Sequence, residues 1–186
     1  MPMNWMHRRI CKSDKWAKTM EGQTLPWVLD GVDLGEDVLE IGPGFGVTTA
    51  VLARRPGRLT ALEVDEASVG YLTDRFGDEV RVLHGDGARM ALPDDSFSGA
   101  ACFTMLHHVP SPELQDQLFA ETSRVLRPGG VFAGMDSLPT LRFRLIHLND
   151  TMVIVDPETL PDRLRAAGFT KVEVTVGAKR FRFRAQ

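Results

Sequence analysis

Residues 38–46 read VLEIGPGFG, a buried strand that runs directly into three glycines at every second position. Apolar residues before Gly42 are typical of a parallel strand, and residues 47–55 (VTTAVLARR) predict a following helix. Glycine at positions 42, 44 and 46 removes Cβ and permits positive φ, so a ligand can approach the backbone and the free N–H groups of that helix. The segment therefore predicts an α/β protein that binds a nucleotide-like ligand.

The composition indicates one globular domain. The chain has 186 residues, of which 43% are hydrophobic and 25% charged, a balance that suits a single domain with a substantial core. A formal charge of −3 gives no general attraction for nucleic acid. Cys11 and Cys102 fit neither a disulfide framework nor a metal motif, so we expect reduced thiols and no metal site.

The N-terminal region is basic and amphipathic. Within residues 5–20, Arg8, Lys12 and Lys15 share one helical face, and apolar side chains occupy the other. We interpret residues 1–30 as a helical lid on a single domain at residues 31–186, with a membrane-surface contact as the alternative. No stretch approaches the roughly 20 apolar residues of a membrane span, and no signal peptide is apparent. We expect a cytoplasmic protein without stable membrane insertion, and no pattern predicts an oligomeric state.

Strands and helices alternate after the glycine loop. The periodicity predicts strands at residues 58–64, 80–84, 99–103 and 131–135, and helices at residues 66–76, 112–126 and 157–167. Residues 171–176 and 179–184 alternate with period two around Gly177-Ala178 and predict a hairpin. Since a hairpin reverses the chain, one strand of an otherwise parallel, doubly wound sheet should be antiparallel.

Two acidic residues follow neighbouring predicted strands. Glu63 ends the strand after the glycine loop, and an acid there can accept both hydroxyls of a ribose in a doubly wound fold. Asp86, followed by Gly87 and Ala88, offers a carboxylate and backbone amides to the edge of a purine. The alternatives are a solvated strand-end carboxylate at Glu63 and a turn residue or helix cap at Asp86. We therefore expect a ribose-bearing ligand.

The ordered series of segments resembles class I S-adenosylmethionine-dependent methyltransferases. The matching segments are VLEIGPGFG (38–46), ALEVD (61–65), GDGARMALPDDSF (85–97), ACFTMLHHV (101–109) and RVLRPGGVFAGM (124–135). The terminal hairpin is similar to the end of that family's sheet. The resemblance implies a Rossmann-like, seven-stranded α/β sheet, mostly parallel with an antiparallel C-terminal hairpin strand, and S-adenosylmethionine as cofactor.

The resemblance also implies which residues bind the cofactor. Its methionine part would lie against Glu40, Gly42 and Gly44, its ribose against Glu63, and its adenine against Asp86, Gly87 and Ala88. Val64 and Met90 would pack on the base, and Phe103 would offer its backbone carbonyl to the amino group. Methionine and aromatic residues are more often part of a core, which is the alternative for these last positions.

Two other classes of protein share part of this pattern. A dinucleotide-binding oxidoreductase has the same strand, glycine loop and ribose acid, but its fingerprint requires a small residue where this chain has Val47. The terminal hairpin also disfavours it. A non-catalytic methyltransferase-like domain, acting as a subunit or regulator, is the second alternative, and the intact cofactor series disfavours that one.

Two adjacent histidines are the candidate catalytic residues. Methyl transfer from a sulfonium is a displacement that requires an aligned nucleophile and exclusion of water, and some acceptors also need a base. His107 and His108 lie where the family's fourth-strand loop meets the substrate, and imidazole takes up a proton near neutral pH. His107 is the candidate base, and His108 either takes part in catalysis or anchors the loop. His7 and His147 lie in segments that could cover the pocket.

The sequence favours a small-molecule acceptor. DNA amino-methylating relatives carry Asn or Asp, two prolines and an aromatic residue at the fourth-strand loop, whereas this chain has FTML at residues 103–106. We interpret the basic strand face of Arg180, Arg182 and Arg184 as a solvated sheet edge rather than a nucleic-acid contact. Apolar residues of the lid and of the connector 137–150 are compatible with a lipophilic acceptor.

Overall fold

The computed structural model describes residues 4–55, 57–148 and 150–186. Residues 1–3 of the predicted lid and Asn149 of the predicted connector lie outside these ranges. The strands are β1 (Asp37–Ile41), β2 (Arg58–Glu63), β3 (Arg81–His84), β4 (Phe97–Phe103), β5 (Leu126–Ser137), β6 (Val172–Val176) and β7 (Arg180–Ala185).

These strands form one seven-stranded sheet in the order β3-β2-β1-β4-β5-β7-β6. Strands β1 to β5 are parallel, and β7 is antiparallel to both of its neighbours, β5 and β6. The predicted fold class, including the antiparallel hairpin strand, is confirmed. Because β1 and β4 are adjacent while the chain leaves β1 for β2, the strand order reverses at β1, where open α/β sheets bind ligands.

Eight α-helices lie in the described residues. They are α1 (Trp5–Cys11), α2 (Asp14–Thr19), α3 (Leu25–Val28), α4 (Thr49–Leu52), α5 (Glu66–Phe76), α6 (Pro112–Val125), α7 (Leu141–Ile146) and α8 (Leu160–Ala166). A π-helical turn at Met20–Thr24 joins α2 to α3, and a 3₁₀ turn at Leu106–His108 follows β4. None of the helices described is long and apolar enough to cross a membrane.

Two predicted elements differ most in length from the observed ones. The helix predicted at residues 47–55 is reduced to α4, because the glycine loop continues as turns through Thr48 and Gly46 has a φ of +71°. The strand predicted at residues 131–135 extends in both directions to form β5, which pairs with β4 on one side and β7 on the other. The RPGG segment itself (127–130) forms an irregularity in β5, since the register with β4 jumps from Leu126 to Val131 and Gly129 has a φ of +80°.

Side chains of the central strands alternate between two apolar layers. Ala100 and Cys102 of β4 face the layer that contains α6 and α8, whereas Ala101 and Phe103 face the layer that contains Met20 and the N-terminal helices. The sheet is therefore covered on both faces, as the predicted doubly wound fold requires.

The basic face of β7 holds the N-terminal segment rather than facing solvent. The guanidinium groups donate hydrogen bonds to the Thr24 hydroxyl (Arg180), the Trp27 carbonyl (Arg182) and the Gly31 carbonyl (Arg184). The prediction of a solvated sheet edge is wrong, because β7 lies between β5 and β6 and the edge strand is β6.

Candidate functional site

A cavity of about 430 Å³ lies at the carboxyl ends of β1, β2 and β4. One end is formed by the glycine loop and the residues that follow β2 and β3, and we call it the glycine-loop end. The other is formed by His7, His107, His108 and His147, and we call it the histidine end. Helix α1 and the end of α7 contribute side chains to the wall of the cavity.

Most of the predicted site residues line this one cavity. Those on its wall are Gly42, Gly44, Glu63, Val64, Asp86, Gly87, Ala88, Phe103, His107 and His108. Glu40 and Met90 are not among the wall residues and are buried behind them. The sheet thus gathers segments that are separated in sequence, while the contact of each residue with a cofactor stays a prediction.

The glycine loop needs its glycines for two physical reasons. Gly42, Gly44 and Gly46 all have positive φ, between +57° and +71°. A Cβ at Gly42 would lie 2.9 Å from Met105 Cε, whereas a Cβ at Gly44 would meet nothing within 4 Å. A side chain at Gly42 would therefore displace Met105, and the backbone at Gly44 is open to a ligand.

Glu63 fixes the glycine loop to the end of β2. Its Oε2 accepts a hydrogen bond from Gly44 N at 2.9 Å, and Oε1 accepts from Val64 N at 2.9 Å and Asp65 N at 3.0 Å. Because each carboxylate oxygen can accept more than one hydrogen bond, a ligand hydroxyl can share this group. The buried carboxylate of Glu63 therefore connects the loop conformation to the cavity.

Asp86 forms the turn that was the alternative to its predicted role. Its Oδ1 accepts a hydrogen bond from Ala88 N at 2.9 Å, and the side chain is exposed at the cavity wall. This bond orients the segment so that Gly87 and Ala88 also line the wall. The turn and the predicted adenine contact are compatible, since the turn presents the carboxylate and the backbone to the same space.

Glu40 and Met90 lie outside the cavity wall. Glu40 is buried beneath the loop, where Oε1 accepts a hydrogen bond from the Thr48 hydroxyl and Oε2 has no partner in the described residues. Burial raises the pKa of Glu40 to about 7. The backbone of Met90 is bonded to Glu121 and Arg124, which holds this residue in the core. Any effect of Glu40 on a ligand would act through the glycine loop.

Asp136 holds His107 at the histidine end. The backbone N of His107 donates to Asp136 Oδ2 at 3.0 Å, and its Nδ1 lies 2.6 Å from Asp136 Oδ1. Nε2 of the same ring lies 3.1 Å from His147 Nε2. Both His107 and Asp136 are buried, so the ring is fixed in orientation, as a general base must be.

The other three rings are fixed through Nδ1 as well. His7 Nδ1 lies 3.0 Å from Asp150 Oδ2, His108 Nδ1 lies 3.2 Å from the Thr151 carbonyl, and His147 Nδ1 lies 2.7 Å from the Phe143 carbonyl. Burial is the main reason why the pKa of His7 is lowered, that of His108 falls to about 2 and that of His147 to about 4. These rings are therefore neutral near pH 7.

Helix α1 is attached to the residues around α7. Asn4 donates from its backbone N to Asp150 Oδ1 at 2.6 Å, and from Nδ2 to the carbonyls of Ile146 at 2.8 Å and Leu148 at 3.1 Å. Lys12 of the predicted basic face lies over the ring of Phe45, with Nζ 4.5 Å from the centroid. The N-terminal segment thus crosses the cavity from one end to the other.

Sequence reasoning missed Asp136 and Asp150. Asp136 lies in β5 just beyond the predicted strand 131–135, and an acid at the end of a buried strand is the signal that had identified Glu63. Asp150 follows α7 without a comparable signal. Of the cysteines, Cys11 lines the cavity as a thiol whose pKa is raised to about 11 by burial, and Cys102 is buried in β4.

The sequence profile of the family described as "Methyltransferase domain" matches residues 39–134, more than half of the chain. The chain therefore belongs to this family, the class I S-adenosylmethionine-dependent methyltransferases. The predicted class of protein and its cofactor, S-adenosylmethionine, are confirmed, and the dinucleotide-binding oxidoreductase is excluded.

Three curated relatives are named for different activities. A probable S-adenosylmethionine-dependent methyltransferase of Mycolicibacterium smegmatis is 39% identical over 53% of this chain. Sterol 24-C-methyltransferase ERG6B of Gibberella zeae is 30% identical over 59%, and ribosomal RNA small subunit methyltransferase A of a Synechococcus species is 36% identical over 47%. The matches span 37%, 30% and 32% of these relatives' own lengths.

Solved structures share the fold over nearly the whole chain. A SAM-dependent methyltransferase from Aquifex aeolicus has a TM-score of 0.70 at 22% identity and covers 90% of this chain and 92% of its own. A DhpI-SAM-HEP complex has a TM-score of 0.72 at 21% identity, with coverages of 98% and 94%. The chain therefore shares the fold of these structures.

Proposed function

We propose that this chain transfers the methyl group of S-adenosylmethionine to a small-molecule acceptor bound at the histidine end. The observation that carries the proposal is one cavity that joins the glycine loop, Glu63 and Asp86 to a cluster of fixed imidazoles. Its volume of about 430 Å³ is in the range of small-ligand pockets, roughly 300 to 1,000 Å³.

The glycine-loop end suits the proposed cofactor. S-adenosylmethionine is positively charged at its sulfonium and amino groups, and the acidic residues Glu63, Asp65 and Asp86 line this end of the cavity. The open backbone at Gly44 allows a ligand to approach closely. When bound, the cofactor supplies an electrophilic methyl group. The chain's task is then to hold the acceptor in line with that group and to exclude water.

The His107 ring is the proposed base. Asp136 accepts from its Nδ1–H and so leaves Nε2 as the nitrogen that takes the acceptor's proton. The carboxylate also stabilises the imidazolium that this proton transfer creates. His108 is held against the Thr151 carbonyl and has a pKa of about 2, which supports an anchoring or ligand-binding role over that of a base.

Two observations favour a small acceptor over RNA. The cavity is covered by α1 and by the end of α7, and the arginines of β7 are engaged inside the molecule. The ribosomal RNA methyltransferase among the relatives makes RNA the alternative to be tested.

The test combines cofactor binding with product detection. Calorimetric titration with S-adenosylmethionine should show binding, and methyl-labelled cofactor should then transfer label to the low-molecular-mass fraction of a cell extract. The control is His107→Gln, which should bind the cofactor and transfer little label. Absence of cofactor binding would overturn the proposal, and label found in the RNA fraction would overturn its small-molecule part. Binding without transfer to any fraction would favour the non-catalytic alternative.

A further inference from the structure

Four of the five histidines of the chain meet at the histidine end, although they come from three separate segments. His7 is on α1, His107 and His108 are on the turn after β4, and His147 directly follows α7. One ring nitrogen from each of His7, His108 and His147 lies within 4.8 Å of those of the other two. The fifth, His84, is exposed on β3.

The hydrogen bonds of these three rings show which ring nitrogen carries the lone pair that a metal ion could bind. A carbonyl or carboxylate oxygen can only accept, so Nδ1 carries the proton where it faces Asp150, the Thr151 carbonyl or the Phe143 carbonyl. Nε2 is then the nitrogen with the lone pair in each ring. Metal-binding histidines are oriented in the same way, by donating their other N–H to a carboxylate or carbonyl oxygen.

The contact between His107 and His147 also favours a metal ion at this site. Nδ1 of His107 faces Asp136, and Nδ1 of His147 faces the Phe143 carbonyl, so two Nε2 lone pairs meet at 3.1 Å if both rings are neutral. A metal ion bound to His147 Nε2 would remove this repulsion.

We propose that His7, His108 and His147 bind one divalent first-row transition-metal ion, of the Zn²⁺ type, through Nε2. Three imidazoles with a fourth position open to a cavity are a common zinc arrangement in catalytic sites. In tetrahedral coordination at about 2.0 to 2.1 Å, the three nitrogens would lie about 3.3 Å apart. The observed ring nitrogens lie within 4.8 Å of one another, so binding would draw the three rings closer together.

The surroundings favour a metal ion. Nδ1 of His7, His108 and His147 faces an oxygen acceptor, so Nε2 carries the lone pair of a neutral imidazole, the form that binds metal. Asp150 would act as the orienting carboxylate for His7. The sequence predicted no metal site, because ligands at positions 7, 108 and 147 form no local motif. Only the tertiary fold brings them together.

Such an ion would have two consequences. It would fasten α1 to the turn after β4 and to the end of α7, and so close the histidine end. Its open position would take an oxygen, nitrogen or sulfur atom of the acceptor and lower the pKa of that atom. The second consequence rests on the proposed function, whereas metal binding itself does not.

The experiment titrates the full chain, freed of metal by a chelator, with Co²⁺ and Zn²⁺. We expect one equivalent to bind, with the visible absorption of tetrahedral Co²⁺ and a higher melting temperature. His7→Gln and His147→Gln should each weaken binding at least about tenfold, and Asp150→Asn about 10- to 100-fold. The matched control, His84→Gln, should bind as the parent does.

Two results would overturn the site. One is the absence of saturable binding of Co²⁺ and Zn²⁺; the other is equal loss of binding in His84→Gln and His147→Gln. Circular dichroism and S-adenosylmethionine affinity, measured without metal, show whether each variant is folded. A chain that binds the ion but transfers no methyl would support the site and contradict the proposed function. A chain that transfers methyl groups but binds no metal ion would support the proposed function and contradict the site.

Discussion

The two ends of the cavity are built in different ways. The glycine-loop end is formed by turns that follow adjacent strands, and Glu63 bonds to Gly44, which is 19 residues away in sequence. The histidine end joins segments far apart, since Asn4 is bonded to Asp150 across 146 residues and His107 contacts His147 across 40. A motif scan therefore detects the first end, whereas only the folded chain reveals the second.

This difference suggests that cofactor binding at the glycine-loop end and catalysis at the histidine end are separable. Asp136→Asn tests this separation with the largest expected effect. The amide can still accept from the His107 backbone but no longer carries the charge that stabilises an imidazolium. We expect kcat to fall by about 10²- to 10⁴-fold, the range of general-base contributions, while cofactor affinity stays constant. Steady-state kinetics and calorimetry measure the two quantities. The control is Asp162→Asn, an exposed carboxylate paired with Arg165.

Equal losses of kcat and of cofactor affinity in Asp136→Asn would show that the two ends are not independent. A kcat close to that of the parent would remove His107 from the role of base.

Beneath the glycine loop, Glu40 should make stability depend on pH. Its pKa in the folded state, about 7, lies above the ordinary value of 4.5, so the folded chain holds the proton more tightly. Its contribution to the free energy of unfolding is thus complete below about pH 4.5 and decreases as the pH rises to 7. The decrease amounts to roughly 3 kcal/mol.

Glu40→Gln should remove this decrease, so that the variant gains stability relative to the parent between pH 4.5 and 7. Denaturant unfolding at several pH values measures the effect. Glu66→Gln, at an exposed position of α5, should follow the parent at every pH. Parallel curves for Glu40→Gln and the parent would show that Glu40 is charged in the folded state.

At the glycine-loop end, Glu63→Gln should affect the cofactor more than the acceptor. An amide accepts through one oxygen only, so at least one of the bonds from Gly44, Val64 or Asp65 is lost. We expect cofactor binding to weaken by about 1 to 3 kcal/mol, with kcat at saturation little changed. Calorimetry measures the affinity, and Glu66→Gln is again the control. Unchanged affinity would remove Glu63 from the cofactor site.

The smallest expected effect is that of Asn4→Ala at the histidine end. This change removes the N-cap of α1 and the bonds to the carbonyls of Ile146 and Leu148. Loss of an N-cap costs about 0.5 to 2 kcal/mol, so we expect faster proteolysis within α1 and a higher acceptor KM. Ser13→Ala, which removes the N-cap of α2, is the matched control. Cofactor affinity lower than in that control would contradict the lid prediction.

Much of the fold was predictable because periodicity and turn residues act locally. Helix α5 has the predicted bounds, and the hairpin gave the antiparallel strand. The bonds from Arg180, Arg182 and Arg184 to the N-terminal segment were not predictable, since they depend on which strand takes the sheet edge. Asp136 was detectable by the strand-end rule applied to Glu63, but Asp150 and the meeting of His7 with His147 depend on tertiary packing alone.

The bonds between β7 and the N-terminal helices impose an order on folding during synthesis. Arg182 lies 155 residues after Trp27, its hydrogen-bond partner, and its guanidinium also lies over the Trp27 ring, 5.2 Å from the centroid. As the chain leaves the ribosome, α3 can pack on β4 and β5, but these bonds cannot form until β7 has emerged. The nascent glycine loop can pair with its neighbouring strands much earlier. A ribosome-bound chain ending before β7 should thus leave its N-terminal segment open to protease.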